Sequence, residues 1–215
     1  MHAIIFVGGT LQAGNAVDRA IASADLILAA DSGAITALRY GCTPAIIVGD
    51  FDSLTLSEHD LVEMGSQLIR VQMEKNETDT ELAVQVALDR GAQCITILGG
   101  INGERFDHTM ANVLLLAGFE TVPMRIVDGP STCWLVRGPG STSIEGLPDD
   151  LLSLLPLTGE AVGVRTTGLY YPLYSETLYF GKPRGVSNVL IGQNAEVALE
   201  HGLLLVIHMS NEQRR

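Results

Sequence analysis

Ala45-Ile46-Ile47-Val48-Gly49-Asp50-Phe51-Asp52-Ser53 reads as a short buried strand that ends in a glycine and a pair of acids. An apolar run without alternation suits a strand covered on both faces, as in a parallel sheet. Working outward, Asp25-Leu26-Ile27-Leu28-Ala29-Ala30 is a second such run, closed by Asp31-Ser32-Gly33, and Ile4-Ile5-Phe6-Val7 is another, closed by Gly8-Gly9. Residues 15–24, 32–40 and 58–64 have helical composition. The clearest helix is residues 78–90, where Leu82, Ala83, Val86 and Ala87 share one face and Gly91 ends the run. Strand-like runs return at 68–71, at 94–98 before Gly99-Gly100, and at 125–127, with a helix over 107–116. Strands alternating with helices predict an α/β fold: a parallel sheet with helices on both faces.

The pattern changes near Asp128-Gly129-Pro130. Beyond it come short runs at 132–136, 151–155, 161–164, 177–180, 196–199 and 203–208. Turn residues separate them: Gly138-Pro139-Gly140, Pro148-Asp149, Gly181-Lys182-Pro183 and Gly192-Gln193-Asn194. That is all-β patterning and predicts a small sandwich. The expected organisation is an N-terminal α/β domain over 1–130 and a C-terminal β-sandwich over 131–215.

The 215 residues are 47% hydrophobic and carry a formal net charge of -12, with no basic run before Arg214-Arg215. Phosphate-backbone binding wants a basic stripe, so nucleic acid is excluded as a main partner. No apolar run approaches the roughly 20 residues that span a bilayer, so no membrane association is expected. Met1 to Val7 carries no basic leader, so no secretory segment is expected either. Cys42, Cys94 and Cys133 are scattered and lack metal-type spacing, which suits reduced thiols in a cytoplasmic protein.

In an open α/β sheet, ligands bind outside the carboxyl ends of the strands. Asp31, Asp50 and Asp52 fall at such ends, and Asp79 and Asp107 open helices. Several carboxylates on one edge repel each other unless a cation sits among them, which suits a hard divalent metal and a polyphosphate. The other reading of Asp50 and Asp52 is a turn whose acids bond backbone amides. Thr78 with Glu81 forms a capping box, which leaves Lys75 unexplained beside a helix N-terminus suited to anions. In Gly99-Gly100-Ile101-Asn102-Gly103-Glu104-Arg105-Phe106-Asp107-His108, loop amides can face phosphate and Arg105 can fork onto its oxygens. Asp107 is either a site residue or the helix N-cap, and His108 either a site residue or a polar first-turn residue. Neither the common P-loop nor the dinucleotide fingerprint is present.

Taken together, these segments resemble thiamine pyrophosphokinase (thiamine diphosphokinase) of the bacterial type. The resemblance covers nearly the whole chain. It rests on Asp31-Ser32-Gly33, Gly49-Asp50-Phe51-Asp52-Ser53, Lys75 with Thr78-Asp79-x-Glu81, and Gly99-Gly100 leading to Gly103-x-Arg105-Phe106-Asp107-His108 and Asn112. Further on it rests on Thr167-Gly168-Leu169-x-Tyr171-Pro172-Leu173 and Gly185-Val186-Ser187-Asn188. It implies a Mg-ATP-binding catalytic domain over 1–130 and a thiamine-binding, dimerising sandwich over 131–215. It implies Mg2+ on Asp50, Asp52 and Asp79, with Asp31 close by, and ATP contacts from Asp31, Lys75, Arg105, Asp107, His108 and Asn112. Thiamine would lie between the subunits of a homodimer, against Ser187 and Asn188. Two departures are Asn76, where family members often carry Asp, and the aliphatic run 202–207, where the animal enzymes carry a tryptophan. Leu205 is the nearest match to it; Trp134 reads as core.

The expected reaction is transfer of pyrophosphate from ATP to the thiamine hydroxyl, giving thiamine diphosphate and AMP. Asp50, Asp52 and Asp79 are the expected catalytic acids. Two alternatives use the same residues: a metal-dependent phosphohydrolase with water as acceptor, and a non-catalytic nucleotide-binding module.

Overall fold

A computed structural model describes residues 1–211 apart from Ser53, Met73 and Glu104. Ser53 and Glu104, quoted in the motifs above, therefore lie outside the described residues. The chain divides into two units, Met1–Gly129 and Pro130–Arg215.

The first unit runs β1 (His2–Phe6), α1 (Asn15–Ala22), β2 (Leu26–Ala30), α2 (Gly33–Arg39), β3 (Ile46–Gly49), α3 (Glu58–Glu63), β4 (Gln67–Arg70), α4 (Asp79–Asp89), β5 (Cys94–Leu98), α5 (Phe106–Gly118) and β6 (Met124–Asp128). Its strands lie in the order β6-β5-β1-β2-β3-β4, and every pairing is parallel. The winding reverses between β1 and β5, so the connections leaving these two strands diverge and open a crevice at their carboxyl ends.

Burial on both faces fixes this platform. Ile4, Phe6, Ala29, Ile47, Leu98 and Val127 pack with Val17 and Ala20 of α1, Ala34 and Ala37 of α2, and Leu61 of α3. On the other face α4 lies against β1, β2 and β3 and buries Ala83, Val84 and Ala87. Each large aliphatic side chain so buried contributes about 1.5–3 kcal/mol, so the strand ends are firmly placed.

The second unit continues β7 (Ser131–Arg137), β8 (Gly140–Glu145), β9 (Leu151–Pro156), β10 (Glu160–Thr167), β11 (Tyr174–Tyr179), β12 (Gly185–Val189), β13 (Asn194–Leu199) and β14 (Leu203–Met209). Two antiparallel layers, β12-β9-β14-β7 and β11-β10-β13-β8, enclose a core that includes Val136, Leu152, Leu154, Leu204 and Val206 with Val164, Leu178, Val197 and Leu199. Two of these strands escape sequence reading. β8 is Gly-Ser-Thr-Ser-Ile-Glu, nearly all polar, and β12 is interrupted by an irregularity between Gly185 and Asn188. Trp134 packs against this core and donates to Thr142 Oγ1 at 3.1 Å. Among the described residues, no helix is long and apolar enough to cross a membrane.

Candidate active site

Gly49 decides where the acids meet. A Cβ there would stand 3.1 Å from Cα and Cβ of Asp31, tighter than ordinary contact, so glycine lets the turns after β2 and β3 lie together without displacing Asp31. One carboxylate oxygen each of Asp31, Asp50 and Asp52 then falls within 4.8 Å of the others. Asp31 and Phe51 both adopt left-handed backbone, with φ of 46° and 68°. An aspartate tolerates this; a phenylalanine does so only under constraint, at a cost of about 1–3 kcal/mol.

The constraint is visible. Phe51 is 8% exposed and belongs to the core beside Leu61. The Arg70 guanidinium lies 5.2 Å from its ring centroid and donates to the Asp50 carbonyl at 2.8 Å, while pairing with Glu58. Ring burial worth about 1.5–3 kcal/mol and an exposed cation–π contact worth about 0.5–1 kcal/mol offset the strain. With Phe51 anchored inward, the acids on either side of it share the open edge. The Asp52 amide also donates to Asp50 Oδ1 at 3.2 Å, so the amide-bonding turn coexists with the acid cluster. Charge on Asp50 is the main reason the Asp52 carboxyl is held above its ordinary range; Asp31 and Asp79 add to it.

The tight trio is thus Asp31, Asp50 and Asp52; Asp79, expected beside Asp50 and Asp52, stands outside it. The reason lies in the topology. β2 and β3 are neighbours whose turns abut, while Asp79 opens α4 and is ion-paired with Lys75. Asp79 stands near enough to act on Asp52 by charge. Thr78 caps α4, its hydroxyl accepting the Glu81 amide at 3.1 Å, an arrangement worth about 1 kcal/mol. Lys75, expected as an anion contact, is engaged with an acid in this structure.

The β5–α5 connection carries the second group. Buried Asn112 donates through Nδ2 to the Gly100 carbonyl at 3.0 Å and pins the loop. α5 begins at Phe106 with Arg105 in the cap position, so Asp107 is not the N-cap. It sits in the first turn and takes two hydrogen bonds from Arg105. That bonding lowers the Asp107 carboxyl and raises the Arg105 guanidinium. Both side chains are exposed, as is His108.

In the second unit, Ser187 is exposed in left-handed backbone, φ 60°, and its amide donates to Ser153 Oγ at 3.0 Å. Asn188 is buried. Its Oδ1 accepts the amides of Tyr171 and Val189 at 3.0 and 2.9 Å, and its Nδ2 donates to the Tyr171 carbonyl at 2.7 Å. Asn188 is therefore first a clamp on Tyr171. Leu205 is buried, with its neighbours Leu204 and Val206 in the sandwich core, and offers no open wall. The open wall is aromatic: a cleft of about 420 Å³ lined by Tyr170, Tyr171, Tyr174, Leu154 and Val186. Tyr170 and Tyr171 are each 65% exposed and meet edge to face at 4.8 Å.

Both units match known proteins. The family model described as thiamin pyrophosphokinase, catalytic domain, matches residues 17–127. That described as thiamin pyrophosphokinase, vitamin B1 binding domain, matches residues 142–204. The chain is 31% identical over 190 residues to a thiamine pyrophosphokinase of Bacillus subtilis (strain 168), covering 86% of this chain and 88% of that protein. The chain belongs to the thiamine pyrophosphokinase family. The fold agrees. A crystal structure of the Bacillus subtilis thiamine pyrophosphokinase aligns with a TM-score of 0.85 at 27% identity, covering 98% of this chain and 100% of that one. The Geobacillus thermodenitrificans thiamin pyrophosphokinase aligns at 0.81 and 26% identity, covering 98% of each.

Four features of this member escaped sequence reading: the strained Phe51, its latch Arg70, the tyrosine cleft, and buried Asp128. Only the cleft left a signal, since four of the five tyrosines fall between 170 and 179. Arg70 ends an ordinary strand, and Asp128 reads as part of a turn.

Proposed function

We propose how this chain carries out the reaction of its family. The enzyme transfers the pyrophosphoryl group of ATP to the primary hydroxyl of thiamine, giving thiamine diphosphate and AMP. It works on ATP with a divalent metal, which we take to be Mg2+. The observation that carries the assignment of the site is the convergence of Asp31, Asp50 and Asp52 on the carboxyl edge of the sheet.

The donors there are all carboxylate oxygens, the set a hard divalent cation prefers. Asp50 and Asp52 would hold the metal with Asp79, and Asp31 completes the cluster. A cation held there would supply neutralising charge to the polyphosphate of ATP. Lys75 and Arg105 bind the phosphates; Asp107 presents the Arg105 fork, and Asn112 holds the Gly100 turn open to them. His108 lines the same first turn of α5. The thiamine oxygen attacks the β-phosphorus, the bond from β-phosphorus to the α,β-bridging oxygen breaks, and AMP leaves. The hydroxyl proton goes to a carboxylate at this edge, Asp79 being the candidate only where it is not bound to the metal. Orientation and charge neutralisation do most of the work.

We assign the acceptor to the second unit. Thiamine is a flat cation, and a cleft walled by three tyrosines suits it through stacking and cation–π attraction. Ser187 offers an exposed hydroxyl, while Asn188 acts through Tyr171. We further propose a homodimer in which acids of one subunit meet the cleft of the other, working in the cytoplasm, where the thiols of Cys42, Cys94 and Cys133 stay reduced.

The test is incubation with Mg-ATP, with and without thiamine, followed by analysis of phosphorus-containing products. Thiamine-dependent AMP and thiamine diphosphate are expected. Thiamine-independent phosphate release would instead mark a phosphohydrolase, and silence a binding module; membership of the family favours neither. For the dimer, an Asp52→Asn protein and a Ser187/Asn188→Ala protein, each first shown to be inactive alone, regain activity on mixing if sites are shared. No recovery after verified subunit exchange would place each site within one chain.

A further inference from the structure

Arg70 ends β4, the edge strand of the first unit's sheet. In the ladder it stands opposite Gly49, and the Val71 amide donates to the Gly49 carbonyl at 3.0 Å. The next carbonyl, that of Asp50, accepts instead from Arg70 Nη1 at 2.8 Å. Nη2 of the same guanidinium pairs with Glu58, the first residue of α3. Its central carbon lies 5.2 Å from the Phe51 ring centroid. One exposed side chain thus grips the connection from β3 to α3 at both ends and at the ring between them. That connection carries Asp50 and Asp52.

The fold has little need of this grip. Ser57 already caps α3, its hydroxyl accepting the Asp60 amide at 3.1 Å, and fully buried Leu61 anchors the helix. An exposed ion pair such as Arg70 with Glu58 contributes little to stability. What does need holding is Phe51, at φ 68°, since a strained residue persists only where its surroundings over-determine it. The acids stand on either side of that residue, so a relaxed Phe51 backbone would turn them apart.

We infer that Arg70 is a positioning residue for the acid edge: by holding the Phe51 turn it sets how tightly Asp50 and Asp52 take a divalent cation. This rests on the reading of that edge as the metal site. Charge and position here have opposite signs. Removing a cation from beside the acids would by charge alone tighten cation binding. Losing the turn geometry weakens it, because a hard cation needs several oxygens converging on one point.

The test is Arg70→Met in the full chain, with Mn2+ titrated into the nucleotide-free protein and the free ion followed by electron paramagnetic resonance. With nucleotide left out, a lost phosphate contact cannot mimic the result. Losing the charge-assisted bond to the turn predicts about tenfold weaker Mn2+ binding. Arg70→Lys keeps the charge but cannot hold three partners at once, and should weaken binding about threefold. In EDTA, amide hydrogen exchange should quicken at Asp52, whose amide donates to Asp50 Oδ1, and not within β3. If Arg70→Met does not fold, Arg70→Lys decides alone. Unchanged or tighter Mn2+ binding, or unchanged exchange at Asp52, overturns the inference. Asp52→Asn separates it from the reading beneath it. No Mn2+ binding by the unsubstituted protein, or binding that survives Asp52→Asn, refutes the edge as a metal site. Binding lost in Asp52→Asn but intact in both Arg70 variants refutes the role of Arg70 alone.

Discussion

The acid edge of the first unit and the tyrosine cleft of the second solve opposite problems. At the edge, Asp31, Asp50 and Asp52 crowd together, and charge repulsion is left standing in the Asp52 carboxyl. Around the cleft the charges are settled: Arg184 pairs with Glu176, and what remains open is aromatic surface. The second unit can also bury an acid quietly. Burial pushes the Asp150 carboxyl up, but the Leu147 and Asn211 amides and His208 more than reverse it. A carboxylate ringed by donors serves the fold. Carboxylates facing one another suit a hard cation.

The comparison breaks first at the acids. Asp50→Asn, Asp52→Asn and Asp79→Asn should each lower kcat at least about a hundredfold, the scale of losing one charge-stabilising group in an active site. Thiamine-dependent AMP release measures this, with circular dichroism confirming the fold. Full activity in two of the three variants would end the assignment of the edge.

Next come the phosphate contacts. Lys75→Ala and Arg105→Lys should raise KM for ATP about tenfold and leave KM for thiamine alone, since a lysine cannot reproduce the planar fork. An effect confined to thiamine would mean that the edge and the cleft have been assigned the wrong way round.

The cleft gives a smaller effect with the reverse selectivity. Tyr171→Ala or Tyr170→Ala should raise KM for thiamine about fivefold, in line with one cation–π or stacking contact, at constant KM for ATP. Isothermal titration with thiamine alone checks the same point without turnover.

The smallest effect is on stability, and its sign is the useful part. In EDTA, ionisation of Asp52 opposes folding, because its folded pKa lies above the unfolded value of about 3.9. The contribution is fully present below that unfolded value and is lost as pH rises through the raised one. Asp52→Asn should therefore melt higher than the parent at pH 7, with the gap closing as pH falls into the carboxylate range. Excess Mg2+ should reverse the order. A lower Tm for Asp52→Asn in EDTA at pH 7 would show that the cluster is not under repulsion.

Sequence patterning alone carried the alternation of strands and helices up to Asp128 and the all-β character beyond it, because burial on two faces and turn chemistry are local properties. It also marked Asp31, Asp50, Asp52 and Arg105, since glycines and charges at strand ends stand out against apolar runs. Polar β8 and irregular β12 stayed hidden because their pairing partners, not their composition, make them strands.

The rest was decided in three dimensions. Which acids form the tight trio depended on β2 lying beside β3 and on the space Gly49 leaves for Asp31. That Asn188 clamps Tyr171, and that Leu205 is buried while tyrosines line the cleft, depended on strand pairing across residues far apart in the chain. Asp128 shows the limit most sharply. In the sequence it is one acid before a Gly-Pro turn; in the fold it is buried and accepts the amide of Gln12, 116 positions earlier in the chain. Residue chemistry is written locally, but a hydrogen-bond partner so distant exists only once the chain has folded.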